Sequence, residues 1–403
     1  MAAVGGPRAT EVEAQRSGAT VTEPRNLVVI VVESLRFSAT SLGDPGLGTT
    51  PFLADLSRRS TVARQAYTVV PHTSKALTAI HCGIAPPLDT KLTESEPGGI
   101  PTECLPKLLG RQGYATALFQ SAVGGFERRP DLVRNLGFDE FRAAEDLPTQ
   151  GFGRVNYFGY EDDILLEPSA EWIRAQQQPF MLSLLTVAGH HDYHLPETFP
   201  LRRIVEDDEL NRYLNTLVYQ DRFVSKVFAM LDELGIADET VVAVMGDHGE
   251  GFGEHGLRQH DNTIYEEGVK VPLMIYDPAD PVGRVVDTPM TTMSTMPTVV
   301  EALGYRLKGG LSAARPLADA DDRPVYLSCQ ADNRCLARIE GTMKYIYHFD
   351  NRPDEVFDLA IDPLERDNLI ASVSRSQVRA MRAELLAWRA EVRAAYAAAG
   401  GRR

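Results

Sequence analysis

The stretch VVAVMGDHGEGFGEHGLRQH, at positions 241–260, joins the pattern of a buried strand to a dense group of polar residues. Its first five residues are apolar and mostly valine, which is typical of a strand buried on both faces of a parallel sheet. Asp247 and His248 follow directly, and then a loop whose glycines permit sharp backbone turns. A carboxylate beside an imidazole at a rigid strand end suits a divalent ion such as Zn or Mn. On its own, however, Asp-His-Gly fits an ordinary loop equally well.

The rest of the chain alternates strand-like and helix-like segments, which predicts an α/β fold with a mostly parallel central sheet between layers of helices. The apolar runs that predict the main strands are 26–32, 115–120, 180–186, 240–245 and 271–276. The amphipathic segments that predict helices are 50–60, 105–112, 170–177, 210–234 and 295–303. Short β-like segments within 325–348 and an Ala-rich stretch at 374–398 predict a small C-terminal antiparallel sheet followed by a helix.

These patterns divide the chain into three parts. Residues 1–25 mix small and charged residues and are expected to be a disordered leader. Residues 26–310 are expected to form the catalytic α/β domain, and residues 311–403 a C-terminal subdomain with short strands and a terminal helix.

Composition limits the possible partners and compartments. Among the 403 residues, 56 acidic residues outnumber 41 basic ones, and the formal net charge is −15. This argues against a nucleic-acid partner, which normally requires a basic patch. No run approaches the roughly 20 apolar residues of a transmembrane segment, and no secretion signal is evident. We therefore expect a cytoplasmic protein with reduced thiols at Cys82, Cys104, Cys329 and Cys335, although the last two could pair in an oxidising compartment. The oligomeric state is left open.

Two further segments place polar residues at the ends of predicted elements. NLVVIVVESLR, which begins at Asn26, is a buried-strand pattern that ends in Glu33. A carboxylate there is costly unless it is paired or bound to a metal. In VVPHTSKALTAIHCGIAPP, which begins at Val69, Thr73 and Ser74 start a helix-like stretch, where the helix dipole favours an alkoxide or a bound anion. Taken singly, Glu33 fits a loop residue and Thr73 fits a plain helix cap.

Together, these segments resemble the sulfatase and alkaline phosphatase superfamily, in which a strand-end acid, a nucleophile at a helix start and a late Asp-His pair share one metal. Other stretches resemble its motifs in the same order: Thr49-Thr50-Pro51 with Leu53 and Leu56, Gly113-Tyr114, Gly137-Phe138-Asp139, Pro179-Phe180 leading to His190 and Tyr193, Val271-Pro272-Leu273, Pro297-Thr298, and Phe357-Asp358-Leu359 with Asp362-Pro363 and Asn368-Leu369. The resemblance implies an alkaline phosphatase-like fold and a metal-dependent hydrolase or transferase.

The nucleophile segment departs from that of true sulfatases. They carry a Cys or Ser in C/S-x-P-S-R that is oxidised to formylglycine, whereas this chain reads TSKAL from Thr73. Threonine cannot become formylglycine, because oxidation of a secondary alcohol gives a ketone. The metal-site residues instead resemble those of lipoteichoic acid synthases, phosphoglycerol transferases and phosphoethanolamine transferases, namely Glu33, Thr73, Asp247 and His248. The resemblance implies one divalent ion, Mn or Zn first, with Mg or Ca as further options.

A second metal is in doubt on the sequence. Two-metal relatives resemble this chain at Asp221, but they carry a histidine four residues later, where this chain has Ser225.

The resemblance also implies roles in catalysis. Thr73 is expected to attack a phosphodiester and form a phospho-threonine intermediate, which water or a second alcohol then resolves. His190 is expected to act as general acid for the leaving group. The residues expected to contact substrate are Lys75, His191, His255 and His260. Ser74 is the alternative nucleophile, and an ordinary structural role remains the alternative for each of the others.

The sequence therefore predicts a metal-dependent hydrolase or phosphotransferase for a small-molecule or lipid-headgroup phosphodiester of the phosphoglycerol or phosphoethanolamine type. One alternative is a sulfatase that lacks formylglycine, acting on a sulfate ester. The other is a catalytically inactive binding protein of the same fold, against which the intact set of four metal-site residues argues. The organic part of the substrate, and hydrolysis as opposed to transfer, are left open.

Overall fold

The computed structural model describes residues 11–14, 24–309, 314–350 and 352–400. The strands are β1 (Glu11–Ala14), β2 (Asn26–Val32), β3 (Thr61–Tyr67), β4 (Ala115–Gln120), β5 (Glu140–Arg142), β6 (Phe180–Leu185), β7 (Thr240–Gly246), β8 (Gly251–Phe252), β9 (Arg258–Gln259), β10 (Lys270–Tyr276), β11 (Arg284–Val286), β12 (Met290–Thr291), β13 (Tyr305–Lys308), β14 (Val325–Ser328), β15 (Cys335–Glu340), β16 (Met343–His348) and β17 (Glu355–Asp358). The α-helices are α1 (Pro51–Leu56), α2 (Thr73–Cys82), α3 (Leu105–Gly110), α4 (Arg129–Leu136), α5 (Leu166–Arg174), α6 (Asp208–Glu233), α7 (Glu266–Val269), α8 (Thr295–Ala302) and α9 (Arg375–Gly400).

The central sheet has nine strands in the order β11-β3-β10-β7-β2-β6-β4-β5, and β12 also pairs with β3. The strands β5, β4, β6, β2 and β7 run parallel to their neighbours, whereas β10 lies antiparallel between β7 and β3. This arrangement confirms the predicted α/β fold with a mostly parallel sheet. The five predicted main strands all occur, with each end within one residue of the prediction.

Strand β2 shows why its sequence is apolar throughout. Its side chains alternate between the two faces of the sheet. Leu27, Val29 and Val31 pack in one core with α2, α3, α4 and α8, whereas Val28 and Ile30 pack in the other with α1, α5 and α6. Because both faces are covered by helices, β2 is apolar at every position from Leu27 to Val32.

Helix α6 runs behind the carboxyl end of β2. Asp207 caps its N-terminus by accepting a hydrogen bond from the backbone N–H of Leu210, at 2.8 Å. Tyr213 donates from its hydroxyl to the carbonyl of Ser34 at 2.7 Å, so α6 supports the loop that follows β2. Although α6 and α9 have 26 residues each, no helix in the described part of the chain is apolar enough to cross a membrane.

The C-terminal part forms the predicted antiparallel sheet, in the order β14-β15-β16-β17. One face packs on α9, where Leu336 and Tyr345 meet Leu385. The other face packs on Tyr67 and Tyr265 of the preceding part of the chain. The two parts therefore share a core. The boundary expected near residue 310 falls at 310–313, outside the described residues.

The leader differs from the expectation at one place. Strand β1, within the stretch predicted to be disordered, pairs antiparallel with β13, with Glu11 opposite Lys308. Residues 1–10 and 15–23 lie outside the described residues.

The cysteines also differ from the expectation of reduced thiols. Cys82, at the end of α2, forms a disulfide with Cys104, and Cys329 forms one with Cys335. The first pair escaped the sequence analysis because the two cysteines are 22 positions apart and meet only when α2 packs beside α3. Since disulfides persist mainly in oxidising compartments, this pairing weighs against a cytoplasmic location.

Candidate active site

The site begins where two neighbouring strands end. Strands β2 and β7 run parallel with Val32 opposite Gly246, so the next residues, Glu33 and Asp247, emerge side by side. The carboxyl ends of strands in open α/β sheets are where such folds place their ligands. Potential ligand atoms of Glu33, Asp247 and His248 all lie within 4.8 Å of one another, and the three side chains are buried. Within the described ranges, this is the one group of histidine, cysteine and acidic residues so gathered.

Thr73 completes this group. Its Oγ1 atom lies 3.4 Å from Glu33 Oε2 and 3.4 Å from His248 Nε2. His248 Nε2 in turn lies 3.3 Å from Asp247 Oδ2 and 3.5 Å from Glu33 Oε1. Atoms that share a tetrahedral ion with bonds of 2.0–2.2 Å lie roughly 3.3–3.6 Å apart. These four side chains are therefore spaced as ligands of one ion would be. We call Glu33, Thr73, Asp247 and His248 the four-residue cluster.

The hydrogen bonds around the cluster orient its atoms inward. Asp247 Oδ1 accepts from the backbone N–H groups of Ser34 and His248, at 2.9 and 2.7 Å, while the buried Oδ2 has no hydrogen-bond partner. His248 Nδ1 lies 2.9 Å from the carbonyl oxygen of Gly249. Because a carbonyl only accepts, Nδ1 carries the hydrogen and Nε2 presents its lone pair to the cluster.

The electrostatics of the cluster favour a cation. Burial raises the pKa of Glu33 well above its usual value, and the charge of Asp247 raises it further. Two buried carboxylates that face each other are costly unless a positive charge lies between them. The unpartnered oxygen of Asp247 and the available Nε2 of His248 therefore fit a divalent ion.

Thr73, rather than Ser74, belongs to the cluster. Thr73 is the first residue of α2 and is partly exposed, and its hydroxyl is directed at the cluster instead of capping the helix. Ser74 is fully buried and donates to Glu127 Oε2 at 2.6 Å. These contacts disfavour a role of Thr73 as a plain helix cap, and they disfavour Ser74 as the nucleophile.

Arg129 and Glu127 belong to the site but escaped the sequence analysis. Glu127 accepts from His72 Nε2 at 2.8 Å, and Arg129 donates to Ser74 Oγ at 3.2 Å. Glu127 and Arg128 have φ values of 51° and 53°, a strained conformation that is stored mainly at functional sites. Burial lowers the pKa of the Arg129 guanidinium, and the negative charges of Glu33 and Asp247 partly offset this decrease. The run Glu-Arg-Arg-Pro carries no motif, and only tertiary packing brings it beside the start of α2.

His260 lies against the cluster, and Glu250 holds it there. The rings of His260 and His248 stack with their centroids 3.9 Å apart. Burial alone would lower the pKa of His260, but the charge and hydrogen bond of Glu250 raise it to about 10. Glu250 lies in the stretch that first indicated the metal site, three residues after Asp247, but that spacing did not reveal its contact with His260 Nδ1 at 3.3 Å.

Comparison with known proteins identifies the family. A family model described as Sulfatase matches residues 25–305.

The chain belongs to the sulfatase family.

It is 24% identical over 319 residues to the lipoteichoic acid synthase-like YvgJ of Bacillus subtilis strain 168, a match that covers 74% of this chain and 51% of that protein. It is 24% identical over 408 residues to an ulvan-active sulfatase of Formosa agariphila, covering 87% of this chain and 77% of that protein. The lipoteichoic acid synthase LtaP of Listeria monocytogenes shares the fold, with a TM-score of 0.77, 18% identity and 96% of each chain covered. The chain thus spans only about half the length of YvgJ.

In this member of the sulfatase family, the surroundings of His190 set its tautomer and its charge, and its role as general acid stays a prediction. Its Nδ1 atom lies 2.7 Å from the carbonyl oxygen of His191, so Nδ1 carries the hydrogen and Nε2 is a proton acceptor. Burial lowers the pKa of His190 to about 3, which leaves the ring neutral at pH 7. A neutral ring with this tautomer favours a general base over the predicted general acid. The ring of His191 is tilted by 36° against that of His190, with centroids 4.0 Å apart, and His191 is half-buried.

Two of the residues predicted to contact substrate, Lys75 and His255, bind other residues of the chain. Lys75 is fully buried, and its Nζ atom donates to Glu94 Oε2 at 2.9 Å and to the Lys91 carbonyl at 2.5 Å. His255 uses both ring nitrogens, one on Glu267 at 2.6 Å and one on the carbonyl of Glu365. Both side chains are held by other residues of the chain, and their contacts with a substrate stay a prediction.

Asp221, which resembles a ligand of the two-metal relatives, is also committed elsewhere. Its two carboxylate oxygens accept from the backbone N–H groups of Phe52 and Leu53, both at 2.9 Å, in the first turn of α1. Asp221 therefore stabilises the N-terminus of a helix, and Ser225 donates within α6 to the carbonyl of Arg222.

Proposed function

We propose that this chain is a metal-dependent hydrolase or transferase that cleaves a phosphodiester with Thr73 as its nucleophile. The observation that carries the proposal is the position of Thr73 Oγ1, 3.4 Å from both Glu33 and His248 within a group suited to a metal ion. Glu33, Asp247 and His248 would hold the ion with the Thr73 hydroxyl. A bound divalent ion would lower the pKa of that hydroxyl and draw charge from the phosphoryl oxygens.

The residues of the chain then divide the work between two steps. In the first, the Thr73 hydroxyl loses its proton to solvent and Oγ1 attacks phosphorus in line. The bond from phosphorus to the leaving alkoxide breaks, the alkoxide takes a proton from solvent, and phospho-threonine remains. In the second, water or another alcohol attacks phosphorus, His190 Nε2 takes the proton of the attacking hydroxyl, and the bond to Thr73 breaks. The positive end of α2 and the charges of Arg129 and His260 stabilise the transferred group in both steps.

The chemistry of threonine favours a phosphodiester over a sulfate ester. Sulfatases depend on a formylglycine that threonine cannot form, whereas a threonine hydroxyl forms a phosphate ester directly. The similarity to the lipoteichoic acid synthase-like YvgJ agrees with the phosphoglycerol- or phosphoethanolamine-like substrate that the sequence resemblance implies. The ulvan-active sulfatase, matched over 77% of its own length, keeps sulfate esters as the second candidate.

The proposal is tested with purified protein in three measurements. Elemental analysis gives the metal content, with Mn and Zn added in turn to metal-free protein. Turnover is then compared between an aryl phosphodiester, an aryl phosphomonoester and an aryl sulfate. Mass spectrometry of the quenched reaction searches the peptide that contains Thr73 for a phosphate.

Thr73→Ala should lower phosphodiester turnover by about a thousandfold or more and still bind metal, because three ligands remain. Ser74→Ala is the matched control and should keep most of the activity. Faster cleavage of the aryl sulfate would favour the sulfatase alternative. Absence of both metal binding and turnover would favour the inactive binding protein.

A further inference from the structure

One carboxylate joins the two residues that flank the nucleophile. Glu127 Oε1 lies 2.8 Å from His72 Nε2, and Glu127 Oε2 accepts a hydrogen bond from Ser74 Oγ at 2.6 Å. His72 and Ser74 are the residues immediately before and after Thr73. The Glu127 side chain is only 17% exposed, so both contacts are largely shielded from water. Glu127 therefore spans the start of helix α2, with Thr73 between its two contacts along the chain.

Arg129 completes this network. One of its terminal nitrogens donates to Ser74 Oγ at 3.2 Å, and the other lies 3.6 Å from Glu127 Oε2. Burial alone would raise the pKa of Glu127, but the hydrogen bond and charge of His72 and the charge of Arg129 lower it to about 2. The carboxylate is therefore ionised at neutral pH, which strengthens its hydrogen bonds. We call Glu127, His72, Ser74 and Arg129 the carboxylate clamp.

The turn that carries Glu127 is itself held in place. Glu127 and Arg128 have left-handed φ values of 51° and 53°, which residues other than glycine adopt only when their surroundings impose them. Arg128 lies 2.6 Å from a carboxylate oxygen of Glu96 and donates to the carbonyl of Ser95 at 3.4 Å. Arg128 thus binds the loop at 95–96, while Glu127 binds the start of α2. The strained turn therefore links two parts of the chain.

A carboxylate at this place opposes substrate binding in the proposed reaction. The phosphoryl group that Thr73 attacks carries negative charge, which a nearby carboxylate repels. His72 and Arg129 would also be available to an anion if Glu127 did not engage them. Attraction of the substrate therefore does not account for Glu127, whereas its contacts on both sides of Thr73 do.

We propose that Glu127 is a positioning residue, which fixes the residues before and after Thr73 so that the Thr73 hydroxyl stays directed at the four-residue cluster. The hydroxyl must remain available for attack on phosphorus, so its direction is set through its neighbours along the chain. This inference rests on the proposed function and adds to it the residue that sets the geometry of the nucleophile.

The first test is the kinetics of Glu127→Gln with bis(p-nitrophenyl) phosphate and added Mn. Glutamine has the same shape, but it has no charge, and its amide places a donor where the carboxylate accepts. We expect kcat to fall by about a hundredfold, since a displacement of about 1 Å in an active site costs that much. KM should stay the same or fall, because the repulsion between Glu127 and the anionic substrate is removed. Unchanged kcat, or a raised KM with unchanged kcat, would overturn the inference.

Glu140→Gln is the matched control. Glu140 also binds two donors, Arg142 Nε at 2.6 Å and Trp172 Nε1 at 2.8 Å, but it belongs to β5, the edge strand of the central sheet. This variant should lose stability while kcat stays the same. An equal loss of kcat in both variants would show a general effect on folding and would also overturn the inference.

Chemical rescue separates positioning from folding. Glu127→Gly suits the left-handed φ of this position, because glycine adopts it without strain, and it leaves space for a small carboxylate. Formate added to this variant should restore part of its kcat without shifting its urea midpoint, and it should leave Glu140→Gln unchanged. If formate restores no activity, the carboxylate is not what the reaction requires and the inference fails.

Hydrogen exchange separates this inference from the proposed function, because it needs no substrate. The backbone N–H of Ala76 donates to the carbonyl of His72 at 2.9 Å, in the first turn of α2. Its exchange should be faster in Glu127→Gln than in wild type and unaltered in Glu140→Gln. Faster exchange in a protein that cleaves no ester would leave the carboxylate clamp standing and refute the proposed function. Cleavage that depends on Thr73 but not on Glu127, with unaltered exchange, would leave the proposed function standing and refute the inference.

Discussion

Replacing Lys75 with methionine distinguishes an internal ion pair from a substrate contact. Lys75 Nζ lies 2.9 Å from Glu94 Oε2, and neither side chain has any exposed surface. Removing one partner of a buried pair leaves the other charge without compensation, which costs about 3–5 kcal/mol. We therefore expect Lys75→Met to lower the free energy of unfolding by about this amount.

The measurement is urea unfolding followed by the fluorescence of Trp172 and Trp388. Glu94→Leu should destabilise the protein to a similar extent, because it leaves the buried ammonium of Lys75 without its counter-charge. The double variant Lys75→Met with Glu94→Leu should recover most of the loss, since apolar replacement of a whole buried pair is often nearly neutral. The double-mutant cycle then gives the coupling free energy of the pair.

A different pattern would refute the structural role of Lys75. If Lys75→Met unfolds at the wild-type urea concentration but loses about a hundredfold in kcat, the ammonium acts on the substrate. In that case the double variant would recover nothing, and the contact expected from the sequence would be restored.

Three further predictions follow from other parts of the fold. Replacing both Cys82 and Cys104 with alanine should lower the free energy of unfolding by about 3 kcal/mol, estimated from their separation of 22 residues; an unchanged urea midpoint would show that the disulfide does not form. Burial lowers the pKa of His255, but the hydrogen bond and charge of Glu267 outweigh it, so the pKa is raised. The stabilisation from this pair is therefore complete below the unfolded pKa of about 6.5 and is lost as the pH rises through the folded pKa. The difference in unfolding free energy between wild type and His255→Gln should therefore shrink from pH 6 to pH 9, and a constant difference would contradict this. Asp221→Ala should cost about 1–2 kcal/mol by uncapping α1 while the metal content per chain stays the same; loss of one ion would reveal a second site.

The central sheet could be predicted from the sequence because its signal is local. A strand buried on both faces is apolar along its length, as β2 is from Leu27 and β7 from Val241, and the first residue after such a strand can be polar. This explains why Glu33 and Asp247 were found at strand ends. The order of the strands, and hence the adjacency of these two carboxylates, follows from pairing between segments more than 200 residues apart.

Residues without a local signal could not be assigned from the sequence. Arg129 and Glu127 reach the start of α2 only through the packing of α4 against it. Lys75 was expected to contact substrate, and it follows Thr73 by two positions. Residues two positions apart on a helix do not share a face, and the Lys75 side chain pairs with Glu94 instead.

The amino-acid order alone therefore predicted the fold class, since apolar periodicity and strand ends are properties of neighbouring positions. The family resemblance added the grouping of Glu33, Thr73, Asp247 and His248 around one point. Tertiary structure alone decided the tautomer of His190, the pairing of the cysteines and the partner of each buried charge. These depend on which side chains meet across the core, and the energy of a buried polar group is set by that contact and not by its neighbours along the chain.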